Sequence, residues 1–138
     1  MRSISILLAG IALSVLAVGI TAAQNGVTIK PVLQTTTNTM GRPIVFPRVR
    51  NQFTVLTIDI APGNQLGRHM HPVPLVVYVL AGTLTVEEDG YPARTYARGQ
   101  AFAEAVNVWH NAINRGTAPV RVLVVVAGEE GKPVLVKP

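Results

Sequence analysis

The chain has 138 residues, of which 49% are hydrophobic, and its formal net charge of +5 is scattered along the sequence. This length suits one domain, and the lack of a dense basic stripe with interleaved aromatic residues argues against a nucleic-acid partner. Cysteine is absent, which excludes disulfides, thiolate nucleophiles and cysteine zinc sites. The only serines, Ser3, Ser5 and Ser14, lie in the N-terminal apolar segment, so a serine hydrolase triad is excluded in the rest of the chain.

The N-terminal segment has the pattern of a secretory signal peptide. Arg2 precedes an uncharged run of 17 residues, 4–20, and three small residues, 21–23, then offer a cleavage site. The run also reaches the lower limit of a membrane span, so an uncleaved N-terminal anchor is the alternative. Either way we expect residues 1–23 to direct export of the domain to the periplasm or the exterior. Contact with the membrane is expected only through this segment, if it is not cleaved.

The rest of the chain is predicted to be all-β. Residues 24–40 contain a short strand candidate, 27–33, and a polar tract, which together indicate an extended arm or linker. Further strands are predicted at 53–61, 75–80, 83–88, 95–98, 101–105, 109–114 and 120–127, with a hairpin turn at Asp89-Gly90. Short strands at this spacing, without a convincing helical pattern, indicate a sandwich or a small antiparallel barrel over residues 41–138.

Three histidines, the only ones in the chain, carry the strongest chemical signal. His69 and His71 stand two residues apart, so on extended backbone both imidazoles point to one face. His110 follows His71 after 39 residues, on another predicted strand. Three isolated structural histidines are the alternative. The spacing instead predicts one divalent metal ion held by three imidazoles, with positions left open for water or a small-molecule substrate.

Two motifs around these histidines resemble the paired motifs of the cupin superfamily, small antiparallel β-barrels of jelly-roll type. The matching residues are Gly63, His69, His71 and Gly82 in the first motif and Gly99, His110 and Asn114 in the second. The resemblance covers residues 53–127 and implies a jelly-roll, or double-stranded β-barrel, fold. It says much less about activity, because one fold hosts many chemistries.

The departures from the two motifs concern a carboxylate and a turn. The Glu that is a metal ligand in many cupins falls on Leu75 here, or on Val76 in the other register. The Pro and Gly of the second motif are replaced by Ala105 and Asn107. The chain therefore resembles a three-histidine cupin, similar in its ligands to the three-His non-haem iron dioxygenases. Iron is accordingly the first choice of metal, with Mn, Cu, Ni and Zn as alternatives.

Glu104 is the one residue that we predict to be catalytic. It has the strand parity of Phe102 and stands six residues before His110, so it could face the pocket as a base or a distant ligand. The alternative is a Glu on the outer face or in a structural hydrogen bond. Leu75 and Val77, together with Phe102, are candidate apolar liners of the pocket.

These residues lead to two hypotheses from different classes. The first is an exported oxidoreductase of dioxygenase type that acts on a small organic molecule. The second is a non-enzymatic cupin that binds or senses a metal or small ligand, which the scarcity of acid–base groups favours. An isomerase or epimerase, a class also found among cupins, would need a base that the sequence does not place. The resemblance and the exposed sheet edges of so short a chain also imply a homodimer.

Overall fold

The computed structural model describes residues 22–24 and 27–138 and divides the chain into two compact units, Met1–Pro31 and Val32–Pro138. In the first unit, β1 (Ala22–Gln24) pairs antiparallel with β2 (Val27–Ile29). The predicted targeting run, residues 4–20, lies outside the described residues. The boundaries drawn above between signal, arm and barrel therefore stay predictions.

The second unit consists of strands, and no helix occurs in the part of the chain that the structure describes. The strands are β3 (Asn51–Ile60), β4 (Leu75–Ala81), β5 (Thr83–Glu88), β6 (Arg94–Ala97), β7 (Ala101–Ala103), β8 (His110–Ile113) and β9 (Val120–Glu129). Every predicted strand of this unit is present, with ends that shift by up to two residues, so the all-β prediction is confirmed. Among the described residues, a helix with the length and apolarity to cross a membrane is not found.

Two antiparallel sheets enclose the core of this unit. One has the strand order β3-β9-β4-β7 and the other the order β6-β5-β8. The loop before β4 extends the second sheet, because Gln65 and His69 form bridges with β8 at Ile113 and His110. This arrangement agrees with the predicted jelly roll and puts the His-x-His segment directly beside β8.

The core is filled by alternate residues of the central strands. On β9, Val120, Val122, Val124 and Val126 are each at most 5% exposed, and the residues between them point outward. Leu84 of β5 meets this layer from the other sheet. Burying one such aliphatic side chain stabilises the fold by roughly 1.5–3 kcal/mol. Burial therefore alternates along β9, although most of its outward residues are also apolar.

The turn at Asp89-Gly90 is longer than the predicted two-residue hairpin. Gly90 does take the positive φ that such a turn requires, 80°. The ladder between β5 and β6, however, ends at the pair Val86–Arg94. The last two residues of β5 pair with β8. Strand β5 therefore continues for two residues beyond the end of its ladder with β6.

Gly82, the last residue of the first motif, is required by close packing as well as by backbone conformation. Its φ is +74°, and a Cβ at this position would lie 2.6 Å from the carbonyl oxygen of Pro119 and 2.9 Å from Cγ2 of Val120. Val120 is fully buried at the start of β9. A side chain at Gly82 would therefore push the link between β4 and β5 away from β9.

We expect Gly82→Ala to lower the free energy of unfolding by about 3 kcal/mol or more, because left-handed backbone strain and overpacking add. Gly90→Ala is the matched control, since Gly90 also has a positive φ but no atom within 4 Å of the added Cβ. It should cost only about 1–2 kcal/mol. Urea denaturation of both variants measures the difference, and equal losses would contradict the role given to the contact with Pro119.

Candidate metal centre

His69 and His110 are brought together by backbone pairing. The amide of each residue donates to the carbonyl of the other, with N–O distances of 2.9 and 2.8 Å. Directly opposed residues of an antiparallel pair carry their side chains on the same face. The centroids of the two imidazole rings are 4.3 Å apart as a result.

His71 points to the same side as His69, as the His-x-His spacing predicts. Its ring centroid lies 5.1 Å from that of His69 and 5.2 Å from that of His110. The carbonyl of His71 accepts a hydrogen bond from the amide of Asn107. Asn107 has a φ of 58°, a left-handed conformation that Asn tolerates. Asn therefore maintains this turn at the place where the second cupin motif has Gly.

Nδ1 of each of the three imidazoles forms a hydrogen bond with a backbone carbonyl. In chain order the carbonyls belong to Gly67, Val134 and Val108, at Nδ1–O distances of 2.7, 2.5 and 2.9 Å. A carbonyl oxygen can only accept, so Nδ1 carries the proton and the lone pair of each neutral ring lies on Nε2. This is the arrangement by which proteins orient a histidine toward a metal ion.

The residues fit a divalent metal ion. The ligand nitrogens of His69, His71 and His110 lie within 4.8 Å of one another, and the three side chains are 2%, 8% and 3% exposed. Nε2 of His110 is buried and makes no hydrogen bond of good geometry among the described residues, because the nearest carboxylate oxygen, Oε2 of Glu104, lies 3.4 Å away. A metal ion bound to the three imidazoles would give this nitrogen a partner.

Glu104 faces the histidines and is 6% exposed. Its Oε2 lies 3.2 Å from Nε2 of His71 and 3.4 Å from Nε2 of His110. The amide of Glu104 donates to the carbonyl of Leu75, the position at which many cupins carry a ligating Glu. The chain thus has a carboxylate at this site, but it comes from the residue after β7, the neighbour of β4, and not from β4 itself. The catalytic role of Glu104 stays a prediction.

The ionisation of Glu104 is coupled to that of the imidazoles. Burial by itself raises the pKa of Glu104, but its contacts with His110 and His71 outweigh burial and lower the pKa to about 2. Burial would lower the pKa of His110, yet the contact with Glu104 raises it. Burial, together with the two neighbouring histidines, lowers the pKa of His69. The metal-free site therefore holds an ionised carboxylate at neutral pH.

The C-terminal segment, residues 134–136, closes the site on one side. Val134 supplies the carbonyl for His71, and the backbones of Met70 and Val136 exchange two hydrogen bonds, with N–O distances of 3.0 and 2.9 Å. Leu135 lines the cavity beside the histidines. No local pattern in the sequence marks this segment, so its contact with the site could not be predicted.

Other predicted residues lie partly in the site and partly in its support. Val77 lines the cavity, whereas Leu75 and Phe102 are buried in the core, where Phe102 stacks on Tyr96. Asn114, the last motif residue, is fully buried and donates through its amide to the carbonyls of Ile60, at the end of β3, and of Ala118. It therefore holds the scaffold behind His110.

In the metal-free protein we expect Glu104 to make stability fall at acid pH. Its pKa of about 2 in the folded chain lies below the ordinary value of 4.5. The ionised carboxylate therefore contributes stability that is present above pH 4.5 and is lost as the pH falls toward 2.

Urea titrations in the presence of a chelator measure this contribution. Between pH 4.5 and pH 2, the free energy of unfolding should fall more steeply for the wild type than for Glu104→Gln. Glu130→Gln is the control, because Glu130 is an exposed carboxylate paired with Arg50. It should follow the wild type. Parallel curves for Glu104→Gln and the wild type would contradict the interpretation.

Comparison with known proteins agrees with this fold. The family model of the cupin domain matches residues 56–126, more than half of the chain. No curated protein is similar enough in sequence to match.

Several solved structures are similar in fold. The DMSP lyase DddQ from Ruegeria pomeroyi has a TM-score of 0.55 at 20% identity, over 61% of this chain and 42% of the lyase. An uncharacterized conserved protein with a double-stranded beta-helix domain from Klebsiella pneumoniae has a TM-score of 0.54 at 19% identity, over 86% of this chain and 91% of its own.

A third similar structure is a sugar phosphate isomerase from a cupin superfamily, from Silicibacter pomeroyi. It has a TM-score of 0.50 at 28% identity, over 56% of this chain and 51% of its own. The chain thus spans less than half of the lyase and about half of the isomerase. The two motifs, the antiparallel double sheet and the match to the family model together show that the chain belongs to the cupin family.

Proposed function

We propose that the protein is an exported cupin that binds one divalent metal ion through His69, His71 and His110 and oxidises a small organic molecule. One observation carries the proposal: three buried imidazoles have their Nδ1 atoms on backbone carbonyls and their Nε2 atoms turned toward one another. Three neutral ligands leave coordination positions for substrate. Export is inferred from the charge and length of the N-terminal segment.

Different residues of the site would orient the ligands, exclude water and transfer a proton. The Nδ1–H groups hold the rings in one orientation, and the aliphatic walls of the cavity keep water out. A divalent ion, with iron as the first choice, would supply Lewis acidity and access to oxidation by O₂. The carboxylate of Glu104, beside two of the ligands, is placed to accept a proton from the substrate.

A binding or sensing role is the second candidate. Among the described residues that line the cavity, the ionisable groups are His69, His71 and Glu104. If the histidines are occupied by metal, Glu104 alone remains for proton transfer, and this scarcity favours a site that holds its ligand without turnover.

We expect the purified protein to contain about one metal ion per chain, because the three imidazoles form one site. Elemental analysis should find the metal lost in a His69→Ala/His71→Ala double variant. Glu104→Gln should keep the metal, since the three histidines suffice to hold it. A folded wild type that stays metal-free after reconstitution would contradict the proposal.

A measurement of turnover distinguishes the oxidoreductase from the binding or sensing protein. With the iron-loaded protein and a panel of thiols, diketones and phenols, we expect O₂ consumption, measured with an oxygen electrode. Glu104→Gln should lower kcat about 100-fold or more, the usual loss on removing a general base. Metal binding without O₂ consumption from any substrate would leave the binding or sensing role.

We also propose that the chain forms a homodimer along the edge strand β3. This strand is ten residues long, carries no charge from Asn51 to Ile58, and exposes Phe53 and Val55 by 78% and 59%. Among the described residues β3 has a hydrogen-bonded neighbour on one side only, so its other edge can pair with the same strand of a second copy about a two-fold axis. An edge of this length and apolarity is otherwise prone to unspecific association.

Sedimentation velocity tests the dimer. We expect the wild type to sediment as a dimer. In Val55→Lys the equilibrium should shift toward monomer, because a buried unpaired ammonium opposes the pairing of the two β3 strands. Thr95→Lys is the matched control, since Thr95 is exposed on β6, an edge strand of the other sheet. Wild-type protein that sediments only as a monomer would contradict the proposal.

A further inference from the structure

The loop before β3, residues 42–50, exposes large apolar side chains to solvent. Val45 and Phe46 are 70% and 63% exposed, and Phe53, near the start of β3, is 78% exposed. Apart from one tyrosine, the exposed large apolar side chains of the described residues all lie in residues 27–56. Single exposed apolar residues are normal, whereas a contiguous group marks a surface that meets a partner.

These side chains are contiguous on the outer face of the four-stranded sheet. Phe53 lies directly opposite Ala127, which points outward from β9. Phe46 and Phe53 together line two surface grooves above Ala127. Val45 and Phe46 line a third groove, beside Pro74. Phe46 is therefore the centre of one apolar surface, the phenylalanine patch, which consists of Val45, Phe46, Phe53 and Ala127.

Positive charge accompanies the phenylalanine patch. Basic residues occur along the whole chain, but all seven acidic residues come after residue 58, whereas five of the twelve basic residues precede them. The net charge of +5 therefore arises in residues 1–58. Arg48 is exposed and follows Pro47, which lines two of the three grooves. It forms no ion pair with a described residue, whereas Arg50 is paired with Glu130. The charge of Arg48 is thus available to an anionic partner.

We propose that the phenylalanine patch docks the protein on an anionic lipid surface. Phe46 and Phe53 enter the boundary between head groups and acyl chains, and the guanidinium of Arg48 pairs with lipid phosphate. Apolar side chains beside a cation on one surface are the combination that interfacial membrane binding uses. The predicted targeting segment brings the chain to a membrane, which favours lipid over an acidic protein as the partner.

This contact comes in addition to the one expected for the N-terminal segment, and it does not depend on the metal site. It also differs from the proposed pairing of β3, because that pairing uses the backbone edge of the strand. The patch uses side chains on the outer face of the sheet and in the loop above it.

A fluorophore at the centre of the patch tests the docking in the full chain. Because the chain has no cysteine, Phe46→Cys gives a single site for an environment-sensitive nitrobenzoxadiazole label. On phosphatidylglycerol vesicles we expect its emission to rise and shift to shorter wavelength, as in a bilayer. Tyr91→Cys is the control, since Tyr91 is 39% exposed in the link between β5 and β6 of the other sheet. Its label should stay in water even if the N-terminal segment anchors the chain.

Charge variants of the labelled protein measure the electrostatic part. Arg48→Gln should lower the equilibrium constant for docking about five-fold, the factor that about 1 kcal/mol per arginine near an anionic surface implies. Arg98→Gln is the matched control, because Arg98 is exposed directly after β6, and it should leave docking unchanged. Added salt should weaken docking, and phosphatidylcholine vesicles should give a smaller signal.

Apolar contacts are measured in the same titration. Phe53→Ser should lower the equilibrium constant about ten-fold, since part of the transfer free energy of a Phe side chain is lost. Phe53 is too exposed for this change to unfold the sheet, and circular dichroism checks that it does not.

Two results would overturn the proposal. One is equal emission from the labels at residues 46 and 91 on phosphatidylglycerol vesicles, which would mean that the patch stays in water. The other is a label at residue 46 that responds to protein concentration, together with the sedimentation coefficient, but not to lipid. The patch would then be an interface between copies of the chain.

Discussion

The site depends on three hydrogen bonds from imidazole Nδ1 atoms to backbone carbonyls. These bonds determine which nitrogen of each ring keeps a free lone pair, and they hold the ring planes in place before any ligand arrives. The carbonyls come from a glycine turn, from the residue two before His110 and from the C-terminal segment. Two acceptors are local to their histidine and one is distant. The geometry of the centre is therefore set partly by strand pairing and partly by the C-terminal segment.

Glu104 and the histidines form a buried polar group in an otherwise aliphatic interior. Such a group is costly to bury unless its charges are paired, and in the absence of metal a protonated imidazole beside the carboxylate would offset that cost, in line with the pKa of His110, which the contact with Glu104 raises. A bound cation would take over this compensation. The same carboxylate is then left beside the ligands with an acceptor free for the head group of a substrate. One residue thus serves the metal-free fold and the chemistry proposed for the loaded form.

Strand positions and the shared face of His69 and His71 could be predicted because both follow from local patterns. Short apolar, β-branched runs mark β4 and β9, and the i, i+2 rule orients His69 and His71. The approach of His110 is a contact between distant residues, which only the spacing and the second motif indicated. The predicted strand 101–105 included Glu104, whereas β7 ends at Ala103, so strand parity does not determine the orientation of Glu104. Its proximity to His71 arises from pairing with Leu75, a contact between distant residues. The contact between Val134 and His71, 63 residues apart, had no signal in the sequence for the same reason.

The C-terminal segment contributes both to the orientation of a metal ligand and to the wall of the cavity. Val134 accepts the hydrogen bond that orients His71, and Leu135, the next residue, forms part of the cavity wall. A displacement of this segment would disturb a metal ligand and open the cavity at the same time. Thermodynamic linkage would make such coupling reciprocal: a guest that holds Leu135 in place would strengthen metal retention, and the metal would strengthen guest binding by the same factor. Cooperativity between ion and guest would then pass through three residues at the C-terminus of this cupin.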